Sequence, residues 1–272
     1  MNRRKRYYLR QWLASTVQLV GSFFPGRNLP QRVAARLSFV RSTYGPYLRN
    51  TPGDRTFELC VEGYGRFVSD AIESQDGPFV FLDVGANLGV FSLVAAANPH
   101  CARVIAIEPL PDIFSNLEAN IRRNGAEKIE SILGAITRTT DRIAYLAFDP
   151  RHSGMSKIAE RRPGLVRTSA ISIATLDSLF PGPPVAIVAK IDVEGSEVDV
   201  LSTLRGSRIY GAIREIIIEI SEANLGSSKR QQLMSLLAQY GFVETSRSGP
   251  TSHYDARYRR IEAATEQGRS IG

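Results

Sequence analysis

Apolar positions along the chain follow two periods. Short runs that are almost wholly apolar alternate with longer segments whose apolar residues recur every three or four places. The first kind reads as strands buried on both faces and the second as amphipathic helices. Their alternation predicts a mostly parallel sheet wrapped by helices. On that basis strands are predicted at residues 79–83, 103–108, 128–133, 186–192 and 213–220, with helices over 89–97, 113–124, 196–204 and 229–240. A strand at 56–61 and a short helix over 66–74 precede them. The rhythm breaks across 141–170, where 143–148 could add a strand and 149–163 reads as a polar loop. A strand at 171–175 and a short helix over 176–180 restore it, before a hard stop at Pro181-Gly182-Pro183-Pro184. Segments 241–245 and 252–258 could close the sheet as an antiparallel pair.

The fold class is therefore α/β. One doubly wound domain is expected over residues 56–258, with an extension over 1–55 and a loose tail over 259–272. In the extension, Leu9, Trp12, Leu13, Val17, Val20 and Phe24 fall at helical spacing behind Arg3-Arg4-Lys5-Arg6. A cleavable leader needs a cleaner apolar centre than one holding Gln18. A helix lying on an anionic membrane surface through residues 1–25, or a helix docked on the body, fits the pattern better. Residues 26–55 read as a connector with a turn at Tyr44-Gly45-Pro46-Tyr47.

Charge refines this picture. The 272-residue chain carries a net +7, but residues 1–55 hold 11 Lys+Arg against the single acid Asp54, which leaves the remainder at −3. The basic character belongs to the extension, so the body does not read as a nucleic-acid surface. No apolar run reaches the roughly 18 residues of a membrane span. Cys60 and Cys101 lack metal-ligand spacing and suit reduced thiols in the cytoplasm.

The chemistry concentrates at two strand ends. Phe81-Leu82-Asp83-Val84-Gly85-Ala86-Asn87-Leu88-Gly89 joins a strand to a helix, with glycines that let the backbone approach a ligand. The next strand ends in Glu108-Pro109, an acid positioned to accept hydrogen bonds from ribose hydroxyls. Reading from Gly85, Asn87 and Val90 stand where a dinucleotide fingerprint needs glycine. Asp83 is expected to face the ligand, which favours a cationic sulfonium over a pyrophosphate. The second strand end, Lys190-Ile191-Asp192-Val193-Glu194-Gly195-Ser196-Glu197, crowds ionisable groups onto another strand-to-helix junction. Asp192 should face the first loop there, while Glu197 and Asp199 suit a helix N-terminus. Lys190 could neutralise these acids or point outward. Glu219, at the end of strand 213–220, could border an acceptor pocket, and His152 sits in the irregular segment that could cover the site. The histidines lack metal-ligand spacing, and no metal is called for by these motifs.

Four of these segments resemble FkbM-type methyltransferases: Phe81–Gly89, Ile107-Glu108-Pro109, Thr175-Leu176-Asp177-Ser178-Leu179 and Lys190–Glu197. The resemblance spans about residues 56–245. It implies a class I, Rossmann-like fold with a seven-stranded sheet in the order 3-2-1-4-5-7-6. It implies S-adenosylmethionine as cofactor, with Asp83, Gly85, Ala86, Asn87 and Gly89 forming its loop, Glu108 and Pro109 at its ribose, and Asp192 and Glu194 as the second motif. It also implies O-methylation of a hydroxyl on a sugar, glycan or glycolipid, or else on a polyketide or peptide natural product. Asp192 is the candidate base, with Glu194 or His152 behind it. An RNA methyltransferase guided by the basic arm, and an inactive binding module, are the rivals. Neither the oligomeric state nor the role of residues 1–55 follows from the resemblance.

Overall fold

The computed structural model describes residues 38–138, 141–182, 185–249 and 252–261. The helix expected before residue 25 and most of the expected tail lie outside them. Among the described residues no helix is long and apolar enough to cross a membrane.

A short hairpin opens the described chain: β1 (Phe39–Arg41) and β2 (Tyr47–Arg49), joined through the expected turn. Its Leu48 is fully buried, and Asn120 and Asn124 bond to the backbone of Arg49 and Tyr47. Helix α1 (Arg55–Glu62) follows, where the pattern had suggested a strand. The alternation of Phe57, Leu59 and Val61 is outweighed by local signals. Asp54 caps the first turn by accepting from Thr56 N–H, and Gly63 ends the helix in a left-handed conformation. Helix α2 (Arg66–Glu73) completes this layer.

The large sheet contains β3 (Phe79–Val84), β4 (Cys101–Glu108), β5 (Ile129–Leu133), β10 (Ile187–Ile191), β11 (Ile213–Ser221), β12 (Phe242–Arg247) and β13 (His253–Arg260). Their spatial order is β12-β13-β11-β10-β3-β4-β5. Counted along these seven strands and read from the β5 edge, that is 3-2-1-4-5-7-6. Pairing is parallel from β5 to β11, and β13 and β12 close the sheet antiparallel, as the sequence suggested. Both faces are covered, which explains the unbroken apolar runs. Phe79, Phe81, Val104, Val188 and Ile217 pack under α2 and α3 (Val90–Ala97). Leu82, Ile105, Ala189 and Ile216 pack under α5 (Ile173–Ser178), α6 (Glu197–Gly206) and α7 (Glu222–Gln239, broken at Gly226). Helix α4 (Pro111–Asn124) seats Leu117 against Ala86 and Ala106.

The irregular stretch is a small second sheet. It has the order β6-β9-β7-β8 and contains β6 (Ala135–Ile136), β7 (Ile143–Ala147), β8 (Lys157–Ile158) and β9 (Val166–Ile171). The strand expected at 171–175 ends at Ile171 instead. Ser172 accepts from Thr175 N–H and starts α5 there.

Candidate active site

The order of the large sheet reverses between β4 and β10, on either side of β3. The carboxyl ends of the strands at such a switch diverge and leave a crevice. Here it is a cavity of about 500 Å³, lined from the loop that follows β3, the ends of β4, β10 and β11, α1 and the small sheet. Because β5 and β11 lie on opposite sides of β3, the two ends of the cavity differ. Ile107, Ala135 and Ile136 make the side near β4 and β5 apolar, while Asp192, Glu194 and Glu219 make the side near β10 and β11 acidic.

The loop after β3 starts with Gly85 at φ +81, and the N–H groups of Gly85 and Ala86 both donate to Ile107 O. A Cβ at Gly85 would lie 1.9 Å from the Asp192 carbonyl oxygen. Glycine is required there by the close approach of the β10 end, which is what brings Asp192 against the loop. Asn87 takes φ +50, a conformation asparagine tolerates better than most residues. Its N–H donates to Glu108 Oε2 at 2.8 Å, and Leu110 N–H donates to Oε1 at 2.9 Å. Glu108 is 3% exposed, and burial pushes its carboxyl up to about 7 against these two hydrogen bonds.

Two sequence expectations need correction. Asp83 does not face the cavity. It is fully buried beneath the loop, with Ser92 donating to Oδ2 at 2.6 Å and Lys190 Nζ 3.3 Å from Oδ1. Gly89 also lies off the cavity, where a Cβ would meet Leu117 at 2.3 Å, so it serves the packing of α4. Gly85, Ala86, Asn87, Glu108, Pro109, His152, Asp192 and Glu194 do line the cavity.

Lys190 points inward. It is ion-paired with Asp83 and Asp192, each at 3.3 Å, donates to Gly85 O at 3.1 Å, and lies over the Phe91 ring. Burial alone would favour its neutral form, but the two carboxylates raise its pKa. Beyond it, ligand-capable oxygens of Asp192, Glu194 and Glu219 all lie within 4.8 Å of one another, close enough to hold a metal ion. Burial and then the charge of Asp192 push Glu194 up to about 7, and Asn224 donates to its Oε2. Glu219 is raised further by burial and by Asp192, Glu194 and Asp255, and Tyr64 donates to its Oε1 at 3.1 Å. His253 Nε2 is 3.2 Å from the same oxygen. His152, the third catalytic candidate, is tied through Nδ1 to Thr56 Oγ1 at 3.2 Å. Tyr64, Asn224 and Ser153 also line the cavity, and no motif had marked them.

The arrangement suits a cationic nucleoside. One side offers apolar contacts and a carboxylate at the tip of β4; the other presents several acids and would repel phosphates. With Asp83 paired to Lys190, any preference for a cation comes from the acids at the ends of β10 and β11, whose crowding raises the pKa of Glu194 and Glu219 and which a bound positive charge would help to ionise.

Residues 83–244 match the family model described as the Methyltransferase FkbM domain. The AMB antimetabolite synthetase AmbE of Pseudomonas aeruginosa is 28% identical in an alignment of 239 positions that covers 72% of this chain and 11% of AmbE. The chain thus spans a small part of that relative. The 31-O-demethyl-FK506 methyltransferase FkbM of Streptomyces tacrolimicus is 25% identical over 214 residues, covering 68% of this chain and 80% of that protein. The hexuronic acid methyltransferase AglP of Haloferax volcanii is 26% identical over 152 residues, covering 55% and 59%. Among solved structures, an rRNA methylase from Streptococcus thermophilus overlays with a TM-score of 0.46 at 12% identity, covering 72% of this chain and 95% of that one. Since the family model takes in more than half of the sequence, the chain belongs to the FkbM family of methyltransferases, and its cofactor is S-adenosylmethionine.

Proposed function

We propose that the protein methylates a hydroxyl oxygen of a sugar, glycan or glycolipid. The observation that carries this reading is the contact between Gly85 and the Asp192 backbone, which sets the acidic acceptor end directly beside the cofactor loop.

In this reading Gly85, Ala86 and Asn87 form the floor under the cofactor, Glu108 accepts from its ribose hydroxyls, and Ala135 and Ile136 flank its base. When bound, S-adenosylmethionine supplies a methyl group on a positively charged sulfur. The protein holds the acceptor oxygen in line with that methyl, and such positioning can supply about 7–11 kcal/mol. As the oxygen reacts its proton must leave. Glu194 is the better-poised proton acceptor, because its carboxyl is pushed up to about 7. Asp192, bound to Lys190, orients the acceptor and helps hold the Gly85 loop through that lysine. His152, engaged with Thr56, belongs to the roof.

A sugar suits the acidic end, where carboxylates can accept from neighbouring hydroxyls and the 46%-exposed Tyr64 offers a flat face. AglP, named as a hexuronic acid methyltransferase, supports a sugar as the acceptor class. FkbM, named as a 31-O-demethyl-FK506 methyltransferase, supports transfer to oxygen. The test is methyl transfer to a panel of neutral sugars, glycolipids and polyketide alcohols, with Asp192→Asn and Glu194→Gln alongside. Transfer to the polyketide alcohols alone would overturn the sugar reading. Full turnover in either variant, with ordinary cofactor binding, would remove that residue from catalysis. Peripheral membrane contact through residues 1–25 is tested by vesicle partition. A chain lacking them that binds anionic vesicles as the full chain does would dispose of it.

A further inference from the structure

Asp54 is the single acid in the first 55 residues. It is 6% exposed, and it does more than cap α1. Its Oδ1 accepts from Thr56 N–H at 3.0 Å, which is the cap, and also from Ser153 N–H at 3.1 Å. Its Oδ2 accepts from the Ser153 hydroxyl at 2.7 Å. Ser153 comes from the segment between β7 and β8 and is 1% exposed. A serine hydroxyl has one proton, and here it goes to the carboxylate. The oxygen's lone pairs remain free to accept, and Asn87 Nδ2 donates to them at 3.4 Å. Asn87 is the left-handed residue whose N–H holds Glu108. A continuous string therefore runs Asp54–Ser153–Asn87–Glu108, from the segment before α1, through the roof, to the carboxylate at the ribose site.

Neighbouring contacts keep the string in register. Arg55 N–H donates to Arg151 O at 2.9 Å, and Gly154 N–H donates to Thr56 Oγ1 at 2.8 Å. A Cβ at Gly154 would stand 3.0 Å from that hydroxyl oxygen, so the roof meets α1 closely.

We propose that Asp54 is a positioning residue of the cofactor site, acting through the Ser153 hydroxyl to hold Asn87 in the conformation that presents its N–H to Glu108. The string ends on the cofactor side of the cavity, away from the acids at β10 and β11. Cutting it should weaken cofactor binding and leave the transfer step nearly unchanged. This rests on the placement of the cofactor at the Gly85–Glu108 loop.

The decisive variant is Ser153→Ala, which deletes the hydroxyl and keeps both N–H bonds to Asp54 Oδ1. The companion is Asp54→Asn, which keeps the size of the side chain and an acceptor for the cap. Calorimetric titration of the full chain with S-adenosylmethionine should show Kd rising about three- to tenfold in Ser153→Ala, the size of one hydrogen bond. The KM for cofactor should rise in parallel, with kcat within about twofold. Asp54→Asn should reproduce the loss, and the double variant should bind no worse than the weaker single one. Unaltered affinity in Ser153→Ala overturns the proposal. So does an Asp54→Asn loss that is equally large with and without the serine hydroxyl, since that identifies a clip for the fold alone. Failure of the unaltered protein to give binding heat would overturn the cofactor placement itself, a separate result from either.

Discussion

Lys190 Nζ lies 3.3 Å from Asp83 Oδ1, and the two residues are registered neighbours on the parallel strands β10 and β3. Both side chains are removed from water, at 4% and 0% exposure. The lysine also reaches Asp192 and Gly85 O, so one buried cation ties the Gly85 loop to the acidic end of the cavity.

Removing one partner of such a pair strands the other's charge. Lys190→Met is expected to cost about 3–5 kcal/mol of stability, measured by urea unfolding. Adding Asp83→Asn should recover a large part of that loss. A Lys190→Met protein as stable as the unaltered one would show that the pair does not hold the fold.

The two glycines Gly85 and Gly164 have nearly the same backbone, φ +81 and φ +84, in different surroundings. A Cβ at Gly164 meets nothing within 4 Å, whereas at Gly85 it collides with the Asp192 carbonyl oxygen. Gly164→Ala should cost about 1–2 kcal/mol from backbone strain alone and leave cofactor affinity intact. Gly85→Ala must push β10 away from β3, and cofactor affinity should fall by more than about 100-fold, roughly 2.7 kcal/mol. Calorimetry on both variants decides. Equal affinities would mean that the Gly85–Asp192 contact is not needed for the site.

Cofactor binding should depend on pH through Glu108. Burial pushes its carboxyl up to about 7 in the free protein, and ribose hydroxyls bond more strongly to the ionised form, which accepts at both oxygens. Binding therefore expels a proton at low pH. Affinity should be constant well above pH 7 and fall by up to about tenfold per pH unit below it. Glu194 titrates in the same range, so Glu108→Gln is the control: it should bind weakly, with most of the slope gone. A slope unchanged in that variant would place the titration elsewhere.

Glu219 gives the stability of the free protein an opposite trend to that of an ordinary salt-bridged acid. Its folded pKa is raised from 4.5 to about 9 by burial and by Asp192, Glu194 and Asp255. The folded state keeps a proton that the unfolded chain gives up near pH 4.5. The stability this confers is whole below that pH and is lost as pH rises through about 9. Tm should decline from pH 5 to pH 9, and Glu219→Gln, neutral in both states, should flatten the decline. A wild-type melting curve that rises over this range would contradict the crowding of charge seen at the acidic end.

Local sequence was enough to determine the alternation of strands and helices, the loop at Gly85 and the acid at Glu108. Each depends on period, turn chemistry or a few adjacent residues, and burial on both faces of a parallel sheet prints itself directly as apolar runs. It misled at residues 56–61, where period-two apolar spacing was overruled by the Asp54 cap and Gly63. It also misled at Asp83, whose partner Lys190 lies 107 positions along the chain. Tertiary structure alone decided that Lys190 turns inward, that Glu219 joins Asp192 and Glu194, and that Asp54 reaches Ser153, 99 residues away. These are electrostatic and hydrogen-bonding relations between distant segments. Periodicity carries no trace of them, because they exist only once strand order and register have set which ends of the sheet stand side by side.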